Sequence, residues 1–138
     1  MVGRDGRLSS MALATALCDG LVAGGARVSN IGCGPTPMLY YASISMKADG
    51  AIQVTGSHNL PTHNGFKMMM NGAVFFGDDI QELGIISANG PKEKSGGSLK
   101  MTPIFKSYID RLVAGVDAGN AGVGSEGGLG AEGLALRV

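Results

Sequence analysis

The sequence predicts an α/β fold: a mixed, mainly parallel sheet with helices on both faces. Three observations carry this expectation. Strand-like and helix-like stretches alternate through the first half as two successive strand–helix–strand units, the pattern of a parallel sheet covered by helices. Two short apolar runs then flank Asn71-Gly72, a dipeptide that favours the tight turn of an antiparallel hairpin. Finally, 138 residues, 44% of them apolar, suffice for one domain with a real core.

The elements follow in order. Val2 reads as the last residue of a strand, with Gly3 to Arg7 as the loop after it. Ser9 or Ser10 can cap a helix that runs to about Val22, with Leu13, Leu17 and Leu21 on one face and Gly24-Gly25 ending it. "ARVSNIG" is the next strand. In "GCGPTPMLYYASISM", Thr36 is a good cap and Pro37 suits the first turn, where its missing N–H leaves no bond unmade. Met38, Tyr41, Ala42 and Ser45 share a face of that helix. "GAIQV" is a strand that delivers the chain to Thr55-Gly-Ser-His-Asn59. "GFKMMM" and "AVFF" make the hairpin. "GDDIQELGIISA" reads as a helix with two acids in its first turn, where they complement the helix dipole, and Gly84 weakens its second half. "NGPKEKSGG" is a polar breaker, and "TPIFKSYIDRLV" is a helix opened by Thr102 and Pro103. The tail from Gly115 starts strand-like and then turns glycine-rich, holding eight of the 24 glycines against an ordinary share of about 7%. Three segments result: a domain over residues 1–100, a linker helix over 101–114, and residues 115–138 as the start of something further.

Composition excludes several partners. Eleven basic and eleven acidic side chains balance, so nothing points to nucleic acid or to a charged surface. No apolar run approaches the roughly 20 residues that span a bilayer, and no signal peptide is visible, so a cytoplasmic chain without a membrane partner is expected. Cys18 and Cys33 sit in ordinary hydrophobic contexts and are expected to be reduced and buried.

The loop after "GAIQV" carries the chemistry. Ser57 lies beside His58, and Lys67 follows ten residues later. An acyl-transfer elbow needs G-x-S-x-G, whereas the order here is Gly56-Ser57-His58-Asn59. His58 is poorly placed as the base for its own neighbour, since adjacent side chains on extended chain point apart. His58 and His63 make a weak metal pair, and the cysteines lack C-x-x-C spacing. By itself, Ser57 reads as a turn residue.

The combination changes that reading. "VGRDGRLS", "GPTPMLYYA" and "DGAIQVTGSHNLPTHNGFKM", in this order and at close intervals, resemble the first domain of the α-D-phosphohexomutases, in their phosphomannomutase/phosphoglucomutase branch. The resemblance is close over Val2 to about Leu83, and "VDAGN" at Val116 to Asn120 is similar to the opening of the family's second domain. It implies a phosphoryl group carried on Ser57 and exchanged between C1 and C6 of glucose or mannose phosphate through a bound 1,6-bisphosphate. It implies Mg²⁺ on the phosphoserine oxygen, glucose 1,6-bisphosphate as activator, and a phosphosugar as substrate. Lys67, in "NGFK", matches a family lysine near the transferring group. Strand alternation sets it on a face opposite Phe66, Met68 and Met70, where it can stabilise phosphoryl charge or move a proton. His58 and Asn59 are expected to organise the loop, and Asn59 and Lys67 to meet substrate. Arg4 and Arg7 could face phosphate or pair with Asp5 to fix the loop, and they are read as structural.

The family pattern also has parts this chain does not show. The D-G-D-G-D loop with its metal carboxylates, the sugar-recognition loop and the final phosphate-binding loop have no counterpart, and Leu60 stands where the family has Pro. The chain is therefore expected to be a fragment, truncated at its N-terminus, inactive by itself and completed by the missing domains or a complementing chain. Its sheet is expected to keep an unpaired apolar edge that favours self-association. The phosphoglucosamine mutase branch and a non-catalytic phosphosugar-binding module remain as alternatives.

Overall fold

The computed structural model describes residues 1–90 and 92–121. They form β1 (Val2–Arg4), α1 (Ser10–Ala23), β2 (Arg27–Cys33), α2 (Thr36–Ser45), β3 (Gly50–Val54), β4 (Phe66–Met70), β5 (Ala73–Val74), α3 (Asp78–Ala88), β6 (Ser98–Met101) and α4 (Phe105–Ala121). The strands make one sheet in the order β5-β4-β3-β1-β2-β6. Strand β1 is parallel to both β2 and β3, and β6 is parallel to β2. Strands β4 and β5 add on antiparallel beyond β3. The mixed, mainly parallel sheet is thus the one expected.

Each face of the sheet has its own core. Val2, Val28 and Val54 meet Ala14 and Cys18 of α1, with Leu13, Leu17 and Leu21 closing around them. Ile31 and Ala51 meet Met38, Leu39 and Ala42 of α2, with Tyr41 and Tyr108 beside them. The two helices therefore cover opposite faces. On α1 the small side chains, not the leucines, are the fully buried ones, which lets the helix backbone approach the sheet closely. Helix α2 starts at its expected cap, one residue early: Pro35 is the N-cap and Thr36 is already helical.

The hairpin turns at Asn71 and Gly72, both left-handed at φ 51° and 78°, as a type I′ turn requires. Gly84 does not interrupt α3, which runs through it but buries no side chain.

Four expectations change. Strand β1 does not end at Val2 but continues to Arg4, and it lies in the middle of the sheet, paired on both sides. The expected unpaired edge is therefore not at β1; the edges are β5 and β6. Strand β6 lies between the polar breaker and the next helix, where no element is expected: "SLKM" is four residues long, wholly exposed, and held by pairing with β2. Val116–Asn120 are helical instead of strand-like, because α4 runs through them. Cys33 is exposed, while Cys18 is buried and its thiol pKa is raised by that burial; both are free.

The chain divides into two compact units, Met1–Tyr108 and Ile109–Val138. The first takes in the opening turn of α4, part of the segment expected as a linker. Residues 122–138 of the expected glycine-rich third segment lie outside the described residues.

Candidate functional site

Parallel pairing brings the carboxyl ends of β1, β2 and β3 to one edge of the sheet. The chain leaves β1 for α1 on one face and β2 for α2 on the other, so the connections diverge beside β1. In open α/β sheets this is where ligands bind. The loops that follow β1 and β3 meet there, and the second of them carries Ser57.

Strand β3 ends at Val54, and the Thr55 amide donates to the Gly65 carbonyl at 2.9 Å, closing the loop between β3 and β4 at its base. The loop is turned internally by the Asn59 amide on the Gly56 carbonyl (3.0 Å) and the His63 amide on the Leu60 carbonyl (2.9 Å). Ser57 is exposed and left-handed, with φ 52°, a region that costs a non-glycine residue about 1 kcal/mol or more. Its amide donates to Thr55 Oγ1 at 3.1 Å.

What holds this loop comes from the turn after β1. Arg7 Nη1 donates to the carbonyls of Leu60 (2.5 Å) and His63 (3.1 Å). Its Nη2 donates to those of Ser57 (3.1 Å) and Asn59 (2.9 Å). Its Nε donates to Asp5 Oδ2 at 3.1 Å, forming an ion pair. Asp5 in turn accepts from the Arg7 amide, the Ser10 hydroxyl and the Gly56 amide. Burial alone would raise the Asp5 carboxyl. Hydrogen bonds from Ser10, the Arg7 backbone, Thr55 and Gly56 outweigh burial and lower its pKa to about 2. Asn64 Nδ2 completes the network by donating to the hydroxyls of Ser9 (3.0 Å) and Ser10 (2.8 Å) at the start of α1.

Gly56 is required by this arrangement. A Cβ there would stand 2.6 Å from Arg7 Cζ and 2.6 Å from the His63 carbonyl oxygen.

The structure gathers the sequence-predicted residues unevenly. Ser57, His58 and Asn59 are all exposed on the loop. Among the described residues, the side chains of His58 and Asn59 make no hydrogen bond; Asn59 contributes through its backbone. The loop is organised instead by Arg7, Asp5, Thr55 and Asn64. Arg7 and Asp5 form the expected pair. Among the described residues Arg4 donates only to the Asp5 carbonyl, at 3.1 Å. Asn64 was missed, and its one signal is an amide side chain just before Gly65 at the mouth of a strand. Lys67 is exposed on β4 and pairs with Gln53, one register step from the end of β3. It therefore stands at the same end of the sheet as Ser57. It does not stand opposite an apolar face alone, because Met69 on its own side packs into the α2 core. No hydrogen bond joins Lys67 to Ser57 among the described residues.

No group of three or more His, Cys, Asp or Glu side chains among the described residues is arranged to hold a metal ion. Asp5, the carboxylate bonded to the loop, is committed to Arg7, Ser10 and Gly56. The described residues thus do not make a magnesium site by themselves, and no step below runs through one. A cavity of about 680 Å³ lies at the opposite end of the strands, where Met1, Met46, Met68, Met69, Phe75 and Leu83 line it. No described helix is long and apolar enough to cross a membrane.

Comparison with known proteins agrees on one family. The family model for phosphoglucomutase/phosphomannomutase, alpha/beta/alpha domain I, matches residues 1–94. A phosphoglucomutase of Neisseria gonorrhoeae is 39% identical, over 89% of this chain and 29% of its own length. A phosphomannomutase/phosphoglucomutase of Pseudomonas aeruginosa is 38% identical, over 80% of this chain and 24% of its own. The crystal structure of a phosphoglucomutase/phosphomannomutase family protein from Burkholderia thailandensis superimposes with a TM-score of 0.75 at 41% identity. It covers 82% of this chain and 26% of that one. The chain spans about a quarter to a third of the length of these relatives.

Proposed function

Because the chain belongs to the phosphoglucomutase/phosphomannomutase family, as its domain I, we propose that Ser57 carries the phosphoryl group of a hexose phosphate mutase. The reaction is reversible transfer between C1 and C6 of glucose or mannose phosphate, through phosphoserine and a bound 1,6-bisphosphate. One observation supports it above the others: Ser57 is exposed at the carboxyl end of β3, left-handed, on a loop held by Arg7.

In the charging step the Ser57 hydroxyl oxygen attacks one phosphorus of the bisphosphate. The P–O bond to the sugar breaks, the hydroxyl proton is released, and the sugar oxygen takes a proton. Donor and product are both simple phosphate esters, so the exchange is nearly balanced, and catalysis rests on alignment and on offsetting charge. Lys67, at the same end of the sheet, is the residue for offsetting that charge or moving that proton. In this reading His58 and Asn59 face the substrate from the exposed loop. The magnesium of the family reading would touch only the phosphoserine oxygens here, with its remaining donors supplied from outside the described residues.

The 138-residue chain is incubated with glucose 1,6-bisphosphate and the phosphate mapped by mass spectrometry. Label on Ser57, lost in Ser57→Ala, supports the reading; label elsewhere with Ser57 bare overturns it. A coupled assay with glucose 1-phosphate and Mg²⁺ is expected to show no mutase turnover by this chain alone, and robust turnover would refute the fragment reading.

A further inference from the structure

We propose that Arg7 is the positioning residue that sets the Ser57 loop for phosphoryl transfer, and that it does not bind the phosphate itself. The inference rests on the Ser57 reading.

An arginine side chain has five N–H donors in a rigid fork. In Arg7 all five are taken: Nε by Asp5, two on Nη1 by Leu60 and His63, two on Nη2 by Ser57 and Asn59. No donor remains for a phosphate oxygen. The charge is committed too, because the Asp5 carboxylate is paired with it. The side chain is only 14% exposed, so a ligand would have to displace the loop to reach it.

The four carbonyls span residues 57 to 63, nearly the whole exposed turn. One belongs to Ser57, whose left-handed φ of 52° needs support from outside the local chain. A single cation thus fixes both the loop and the backbone of the proposed phosphoryl carrier. The same contacts explain the close fit at Gly56, where any side chain would strike the guanidinium.

The test uses the 138-residue chain as wild type, Arg7→Lys and Arg7→Ala. Hydrogen exchange is followed at the Asn59 and His63 amides, both bonded within the loop, and at the Ile52 and Thr102 amides, bonded to the Met1 and Asn30 carbonyls away from the clamp. Lysine keeps the charge but cannot span four carbonyls. Both variants are expected to lose protection at Asn59 and His63 by about tenfold or more, with Ile52 and Thr102 unchanged. Should Arg7→Ala fail to fold, Arg7→Lys decides. The rate of Ser57 labelling is then measured against glucose 1,6-bisphosphate concentration. A positioning residue lowers the limiting rate by about tenfold or more and leaves the half-saturating concentration within about twofold. Unchanged loop protection in Arg7→Lys overturns the proposal. So does a raised half-saturating concentration with an unchanged limiting rate, which makes Arg7 a phosphate ligand. A wild-type chain that takes no label on Ser57 counts against the Ser57 reading alone, because the exchange result still decides whether Arg7 holds the loop.

Discussion

The two halves of the sheet are built by different means. Around β1, β2 and β3, apolar side chains are sealed by α1 and α2, and Val2, Val54 and Leu39 are fully buried. Around β4, β5 and α3 no side chain is buried, and Val74, Phe76 and Ile85 stand 63%, 69% and 64% exposed. The Ser57 loop lies between these halves in sequence, joining β3 to β4. It takes its order from neither kind of apolar packing. Its bonds reach back about fifty residues to Asp5 and Arg7, on the turn after β1. A polar clamp anchored in the well-packed half can hold a loop open to solvent, which an apolar core could not do without covering the serine.

The largest expected effect tests the packing side of this contrast. Leu39→Ala removes a fully buried side chain from the α2 core and is expected to destabilise the chain by about 2–5 kcal/mol. Leu83→Ala, on α3 and 40% exposed, is expected to cost less than about 1 kcal/mol. Urea unfolding of both variants measures the gap. Equal losses would mean that α3 packs as tightly as α2 and that the two halves are not different.

The next effect is on the clamp. Gly56→Ala places a methyl group 2.6 Å from Arg7 Cζ and from the His63 carbonyl, so the guanidinium or the loop must move. A loss of about 1–3 kcal/mol is expected, typical of forcing atoms into a filled site. Because Gly56 immediately precedes Ser57, labelling from glucose 1,6-bisphosphate is expected to fall with it. A variant of wild-type stability that labels normally would show that the fit at Gly56 is loose.

Acid should weaken the clamp through Asp5. Its pKa is lowered from 3.8 to about 2, so its contribution is fully present above pH 4 and is lost as the pH falls through 2. The carboxylate is partly solvated, so the loss is about 1–2 kcal/mol once screening is counted. Unfolding midpoints of wild type and Asp5→Asn between pH 5 and 2 test this. The wild type is expected to fall more steeply below pH 4, and the two curves to converge near pH 2. Parallel curves would mean that Asp5 is not held ionised by the fold.

Much of this contrast was legible in the sequence. The strand–helix alternation, the Asn71-Gly72 turn and the Asp5–Arg7 pair all declare themselves through local chemistry, and each is present. Position within the sheet does not. Val2 has the pattern of any strand residue, and only pairing with both β2 and β3 makes it central. Strand β6 is too short to announce itself: Leu99 and Met101 alternate with Ser98 and Lys100 but stay exposed, and its order comes from the edge of β2. The clamp was legible only in part. Asp5 and Arg7 are two residues apart and invite a pair, but the four carbonyls that Arg7 gathers lie 50 to 56 residues on and have no side-chain signature. His58 draws attention because of its chemistry, yet the backbone of its neighbours does the organising.

The smallest expected effect concerns the serine itself. Ser57 holds φ at 52°, where a Cβ crowds the following carbonyl and glycine does not. Ser57→Gly relieves that crowding but also loosens the unfolded chain, which offsets part of the gain. Ser57→Ala keeps the Cβ and relieves nothing. The glycine variant is therefore expected to be more stable than the alanine variant by about 0.5–1 kcal/mol, while neither takes phosphate at position 57. Paired urea titrations resolve a difference of that size if both are run on the same preparation. An alanine variant as stable as the glycine one would mean that the loop relaxes in solution to an ordinary backbone. The strain would then belong to the clamp's geometry and not to the residue. If the difference appears, a hydroxyl is being kept at a backbone position where glycine would fold better, as expected where chemistry and not stability selects the side chain.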